Sequence, residues 1–237
     1  MQRYFSNNRE NNYVILKESD LHHIKNVMRM KINDEIECVF NKKLYICKIT
    51  DINSNKVEIV EELHNNNELN IEYTIAISLV KEQKFDLIIQ KLTELGVLKI
   101  IPLKTERSIV KLDNKKESKK ITRWQEICKE ASEQSKRNII PEITEIKTIK
   151  ELNNDNYDLK MFGSTTNKDN LVNNYLQGNK KYARMIFVIG SEGGFSPKEE
   201  EELIKKNYIP VSLGSRILRV ETAAIFIASI INYSNMR

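Results

Sequence analysis

Cysteine is scarce in this sequence of 237 residues, and its placement excludes two ways of holding a small fold together. Cys38, Cys47 and Cys128 are odd in number and lack metal-ligand spacing, so neither a disulfide framework nor a zinc site is expected. Buried thiols in a reducing compartment fit better, and no metal is expected. The amino-terminal stretch Met1-Gln2-Arg3-Tyr4-Phe5 lacks the apolar core of a secretory signal. The longest apolar run, near Ala223 to Ile231, is too short to span a bilayer and contains Ser229. A cytoplasmic protein with no membrane partner is therefore expected. Charge of one sign is not in great excess either: the net charge is +5.

What is present is organised. Hydrophobic residues at 40% and charged residues at 30% suit one large domain or two modest ones, each with its own core. Residues 81–138 hold fifteen Lys/Arg against nine Asp/Glu, whereas residues 1–70 hold ten against eleven. The basic middle, which includes Lys81 and Arg107, is either a phosphate-facing surface or a solvated face with a flexible run from Asp113 to Lys120.

The first sixty-odd residues read as a small β-rich module. Strands are expected at Tyr13–Lys17, Glu35–Phe40, Leu44–Thr50 and Lys56–Glu61. One helix opening at Asp20 should carry Leu21, Ile24, Val27 and Met28 on one face. Short strands at this spacing suggest a small barrel. The polar stretch from His64 to Glu68 marks a boundary near residue 70, giving domains 1–70 and 71–237.

Beyond it, strands alternate with helices. Strands are expected at Thr74–Val80, Val97–Leu103, Leu159–Phe162, Met185–Ile189 and Ile209–Leu213. A helix carries Phe85, Ile88, Ile89, Leu92 and Leu95 and stops at Gly96; a second runs from Ile121 to Arg137, and helices follow the last two strands. The pattern is α/β, a mainly parallel sheet covered on both faces. No internal repeat is visible.

Two segments carry chemistry. In Phe187-Val188-Ile189-Gly190-Ser191-Glu192-Gly193-Gly194-Phe195-Ser196-Pro197, a buried strand enters a glycine-rich turn and then a helix. Ser196 is a good N-cap, Pro197 suits the first helical position, and Glu199 completes a capping box. The glycines either let a ligand approach the backbone or simply make a tight turn. They form neither a dinucleotide fingerprint nor a phosphate loop of the G-K-[ST] type. In Leu213-Gly214-Ser215-Arg216-Ile217-Leu218-Arg219-Val220-Glu221-Thr222-Ala223-Ala224, a strand ends in a loop bearing two arginines ahead of an apolar helix. That arrangement favours an anion at the helix start; alternatively Glu221 and Thr222 cap the helix while the arginines sit in solvent.

Taken together, these segments strongly resemble the RsmE family, the 16S ribosomal RNA uracil-N3 methyltransferases of the SPOUT class. The resemblance rests on Gly190-Ser191-Glu192-Gly193-Gly194-Phe195-Ser196, on Leu213-Gly214, and on Arg216-Ile217-Leu218-Arg219 leading into Glu221-Thr222-Ala223. It extends through Lys91 to Val97 with Pro102, and through Trp124, Glu130-Ala131, Gln134-Ser135, Arg137 and Pro141. Near the start, Arg3, Phe5, His23 and Arg29-Met30 also fit, so the likeness covers essentially the whole chain. Ser191 stands where the family commonly has proline.

The resemblance implies a PUA-like β-barrel, residues 1–70, joined to a SPOUT α/β domain, residues 71–237, with a trefoil-knotted carboxyl end. It implies S-adenosyl-L-methionine as cofactor, lying between the two loops against Ile189, Gly190, Glu192, Gly193, Gly194, Leu213, Gly214, Ile217 and Leu218. The partner implied is 16S ribosomal RNA within the small ribosomal subunit, contacted by Arg3, His23, Arg29, Lys81 and Arg107. A homodimer is implied too; the apolar helix Ala223–Ile231 suits its interface, or packing on the sheet. Arg219 is the candidate cation that stabilises a deprotonated uracil N3, and Glu221 the base or the group that orients Arg219. The alternatives are a SPOUT methyltransferase acting on another RNA, or a non-catalytic RNA-binding ribosome-assembly factor.

Overall fold

The computed structural model describes residues 1–108, 110, 114–152, 156–177 and 182–235, with the backbone alone for 114–116. It divides into two compact units: Met1–Glu68 with Ser132–Ile139, and Leu69–Ala131 with Ile140–Arg237. The segment Ser132–Ile139, which a single boundary near residue 70 leaves in the second domain, thus belongs with the first unit.

The first unit is a curled sheet of six strands: β1 (Arg3–Phe5), β2 (Asn8–Glu10), β3 (Tyr13–Ile15), β4 (Glu35–Phe40), β5 (Lys43–Lys48) and β6 (Lys56–Leu63). Their order is β1-β4-β5-β6-β3-β2, antiparallel except for the β1/β4 pair. Alternation sends Ile36 and Cys38 of β4, and Tyr45 and Cys47 of β5, into one core with Tyr4, Val14, Ile24 and Val57. All three cysteines of the chain are buried free thiols. Asn41 and Lys42 join β4 to β5 with φ of 49° and 64°. This is the left-handed pair that a two-residue hairpin requires.

The helix of this unit departs from expectation. It starts earlier, as α1 (Glu18–His22), and continues as a π-helical turn, His23–Val27. The wider turn slows the rotation of successive side chains and breaks the apolar face. Ile24 is buried, but Val27 and Met28 are 60% and 45% exposed. Strands β1 and β2 escape a search for alternation because they are three residues long, β1 being buried throughout and β2 exposed throughout.

The segment Ser132–Ile139 is held to the rest of its unit by two arginines. Arg137 pairs with Glu68 at 2.6 Å, both side chains nearly inaccessible. Arg3 donates to the Lys136 and Arg137 carbonyls and to Asn138 Oδ1, while its Nε binds Glu37 at 2.8 Å.

The second unit is built on a parallel sheet. Its strands are β7 (Glu72–Ser78), β8 (Lys99–Lys104), β9 (Glu142–Ile143), β10 (Lys147–Thr148), β11 (Leu159–Gly163), β12 (Arg184–Ile189) and β13 (Ile209–Val211). The order is β10-β8-β7-β12-β11-β13, with β9 also beside β8. The helices are α2 (Glu82–Glu94), α3 (Asn114–Gln134), whose last three residues fall in the first unit, α4 (Asn173–Leu176), α5 (Pro197–Lys205) and α6 (Val220–Ser234).

Both faces of this sheet are covered, which is why its strands are apolar on successive residues. Ile75 and Ile77 of β7, with Phe187 and Ile189 of β12, enter the core shared with Phe85, Ile88 and Leu92 of α2 and Ala224 and Ile227 of α6. Ala76, Ile186 and Val188 face the opposite core, under Leu203 of α5. Gly96 ends α2 with φ +97°, and Asn232 and Tyr73 both donate to the Leu95 carbonyl left free there. Helix α3 opens at Asn114, well before Ile121, so the run that one of the two alternatives treats as flexible is helical from Asn114 onward. Asp113 of that run lies outside the described residues.

Candidate active site

The carboxyl ends of β11, β12 and β13 lie side by side, and the loops that leave them form the site. After Ile189 the chain turns through Gly190–Gly194, closed by the Gly194 amide on the Ser191 carbonyl at 2.9 Å. The Ser191 hydroxyl donates to the Gly194 carbonyl at 3.2 Å and ties the same turn. Gly194 has φ +70°, a conformation that favours glycine. Helix α5 then starts with its expected cap: Ser196 accepts from the Glu199 amide, and Glu199 accepts from the Ser196 amide at 2.9 Å.

After β13, Ser212 Oγ donates to the Gly214 carbonyl at 3.1 Å. Gly214 has φ +122°, and a Cβ there would meet open space within 4 Å. Helix α6 begins at Val220, with Arg219 in the N-cap position and no side-chain cap. Neither Glu221 nor Thr222 serves as the cap.

Between these loops lies a cavity of about 730 Å³, counting the part open to solvent. Ile189, Gly190, Leu213, Gly214, Ile217 and Leu218 line it together, with Phe187, Val220 and Ala223 adding further apolar lining. Ile217 is 83% exposed, an apolar side chain standing free at the rim. Glu192, Gly193 and Gly194 are not part of the lining.

Gly193 instead offers its carbonyl to Arg107 Nη1 at 2.7 Å, and Glu192 Oε1 accepts from Lys84 Nζ at 2.9 Å. Arg107 thus braces the glycine turn. The lining also includes Gly163, which ends β11, and Ser164, Thr165 and Lys168 beyond it, none of them singled out by the sequence. The available signal was Gly163, a glycine at the end of a buried strand like Gly190.

One corner of the site is charged. Lys84, in the first turn of α2, sits between Glu192 and Glu221, with Glu221 Oε1 at 3.3 Å. The Lys84 hydrogen bond and charge, helped by Lys81 and Arg219, hold the Glu192 carboxyl below its ordinary value. Lys84 is correspondingly raised, first by its hydrogen bond to Glu192. The second carboxylate oxygen of Glu221, Oε2, is buried and has no hydrogen-bond partner among the described residues. Lys81, Arg107, Arg216 and Arg219 are exposed.

In the first unit, Arg3 is not available to RNA. Its side chain is 2% exposed and its guanidinium is occupied by Glu37 and the Lys136–Asn138 turn. This corrects the expectation of a phosphate contact: a cation so enclosed cannot reach a ligand in solvent. His23 is partly buried, its Nδ1 3.0 Å from the Tyr4 hydroxyl. Arg29 is exposed and follows the π-helical turn with φ +52°.

Comparison with known proteins places both units. An RNA methyltransferase domain model matches residues 67–232, and an RNA methyltransferase PUA domain model matches residues 16–62. Ribosomal RNA small subunit methyltransferase E of Mesomycoplasma hyopneumoniae is 36% identical over 229 residues, covering 96% of this chain and 97% of the relative. The protein of the same name from Bacillus subtilis is 36% identical over 226 residues, covering 90% and 87%. The crystal structure of a ribosomal RNA small subunit methyltransferase E from Neisseria gonorrhoeae, bound to S-adenosyl methionine, superposes with a TM-score of 0.86. It is 28% identical, over 98% of this chain and 97% of that one. Among the described residues, no helix is long and apolar enough to cross a membrane.

Proposed function

This chain belongs to the ribosomal RNA small subunit methyltransferase E family, and we propose that it methylates N3 of a specific uridine in 16S ribosomal RNA with S-adenosylmethionine as donor. The observation that carries the proposal is the joining of an apolar, glycine-lipped cavity to a charged corner at the edge of one parallel sheet. The carboxyl edge of such a sheet is where ligands of α/β folds bind.

The cavity suits this cofactor. Leu213, Ile217, Leu218 and Phe187 supply apolar wall, Gly190 and Gly214 expose backbone, and Ser164, Thr165 and Ser191 bring hydroxyls. Lys168 and Arg216 are cations at its lining, suited to a carboxylate. When bound, S-adenosylmethionine supplies an electrophilic methyl group.

The protein's remaining work is on the acceptor. A uracil N3 is a poor nucleophile while it carries its proton, so the site must stabilise the anion or take the proton. Arg219, exposed beside the cavity, is the cation that favours the N3 anion, and Glu221 is the acceptor for the proton. The N3 edge is a pairing edge, so the base must be unpaired or flipped out to reach the site. Lys81 on the second unit and Arg29 and His23 on the first supply contacts to the RNA backbone.

We assign the small subunit as the setting, the cytoplasm as the compartment, and a homodimer as the working form. The exposed Phe226 of α6 supports a surface for a second copy. The order β12-β11-β13, with two pocket loops over its carboxyl edge, supports the knotted path implied by the resemblance.

The test is transfer of labelled methyl from S-adenosylmethionine to small subunits lacking the modification, alongside calorimetric titration with the cofactor. Cofactor binding with label in 16S RNA supports the proposal. Binding of RNA without binding of cofactor would instead indicate a non-catalytic factor.

A further inference from the structure

Lys84 is absent from every motif that marked the site, yet it touches both of its acidic groups. Its Nζ lies 2.9 Å from Glu192 Oε1 and 3.3 Å from Glu221 Oε1. Glu192 belongs to the glycine turn after β12, and Glu221 to the first turn of α6. One side chain on α2 therefore ties together the segments that carry the two lips of the cavity. The unusual feature is on Glu221: Oε1 is engaged, whereas Oε2 is buried and has no hydrogen-bond partner among the described residues. A carboxylate oxygen out of water and without a donor is costly. Such a group is retained where a ligand brings the missing donor.

We infer that Lys84 is a positioning residue: it orients Glu221, with Oε2 reserved for the imide proton of the acceptor base. This rests on the reading that the substrate atom is uracil N3. In the step, the N3–H bond breaks, an O–H bond forms on Glu221 Oε2, and the electron pair stays on N3. Lys84 does not touch the base; it acts through Glu221. Glu192 competes for the same ammonium, so the glycine turn and the proton acceptor share one cation.

The charged groups around Glu221 are few. Helix α2 brings Lys84, the glycine turn brings Glu192 through that same ammonium, and Lys81, ahead of α2, acts with Arg219 on Glu192. Helix α4 brings only Tyr175, whose hydroxyl donates to Asn170. Strand β12 carries Arg184 at its opposite end, paired with Glu72.

The experiment is a carbon-13 titration of the Glu221 carboxyl in the full-length protein, paired with single-turnover methyl transfer across pH. Removing a cation next to a carboxylate raises the pH at which it ionises. Lys84→Gln should move both the Glu221 titration and the acid limb of the rate profile to higher pH. Lys84→Arg should bring both back. Glu192→Gln, which frees the ammonium for Glu221, should move them the other way, and it serves if Lys84→Gln does not fold. A Glu221 titration that stays put in these variants, in a wild-type enzyme that makes 3-methyluridine, overturns the inference. A wild type that makes none overturns the assignment of the reaction instead, while the titration still reports whether Lys84 governs Glu221.

Discussion

Arg107 donates to the Gly193 carbonyl at 2.7 Å, bracing the glycine turn whose other end, at Gly190, lines the cavity. The glycines of one turn therefore do different jobs. A Cβ on Gly193 would lie 3.4 Å from Arg107 Cδ, an ordinary contact. A Cβ on Gly190 would lie 3.1 Å from the Gly194 carbonyl carbon and 3.2 Å from the Phe195 ring, so the turn would have to shift.

Gly190→Ala is accordingly expected to weaken S-adenosylmethionine by about tenfold or more, about 1.4 kcal/mol, while Gly193→Ala stays near wild type. Isothermal titration of both variants checks this, with melting curves to confirm folding. Equal losses would mean that Gly193 also meets the ligand.

Glu37 gives the first unit a pH dependence. Burial works to raise its pKa, but hydrogen bonds from Lys136 and Arg3 outweigh burial and hold it below the ordinary 4.5. A carboxyl depressed in the folded state adds stability that is fully present above the unfolded value and lost as pH falls through the folded one. Urea unfolding should therefore show stability falling below about pH 4.5, and Glu37→Gln should flatten that limb. Arg3→Met, which strands two carbonyls and the Asn138 side-chain oxygen and leaves Glu37 with Lys136 alone, is expected to cost about 3 kcal/mol at neutral pH and to leave the salt dependence of RNA binding unchanged.

Much of this was legible in the residues themselves. Strand β4 was marked by alternation and by the polar residues after it, and the capping box of α5 by Ser196, Pro197 and Glu199. The two loops of the cavity stood out because glycines and arginines are conspicuous at strand ends. Three features were not. The π-helical turn leaves no mark in a pattern that keeps its apolar spacing through Val27 and Met28. Arg3 looks like any terminal arginine until residues 132–139 return to enclose it. Lys84 looks like one more solvated lysine on an amphipathic helix. Its place between Glu192 and Glu221 depends on a strand order that puts the end of β12 beside the start of α2, and local spacing does not encode that.

Lys81 is exposed at the start of α2 and has no ion-pair partner among the described residues within its unit, so its charge is available to a phosphate. Lys81→Ala should weaken RNA binding about uniformly across sequences and lower the slope of log affinity against log salt by about one. Filter binding at several salt concentrations measures it. An unaltered slope would place the RNA elsewhere. Arg107→Ala should behave differently and weaken the cofactor too, because it removes the brace on Gly193.

Arg219→Ala tests the electrostatic half of the mechanism. Loss of a preorganised partner to the N3 anion typically costs roughly 2.7–4 kcal/mol, or about a hundred- to a thousand-fold in rate. Single-turnover transfer should slow by that order with both ligands saturating, and recover in part as pH rises. A slow rate that no pH restores, with a lowered melting temperature, would assign Arg219 a structural role.

The identity of the modified atom can be measured directly. Small subunits from cells lacking this protein should be incubated with it and S-adenosylmethionine, and their 16S RNA digested and analysed by nucleoside mass spectrometry. Primer extension should then be run on the same RNA. Methylation at N3 yields 3-methyluridine, absent without cofactor, with one new reverse-transcription stop at a single uridine. Methyl on a ribose oxygen or another base, or no methyl in 16S RNA, would contradict it.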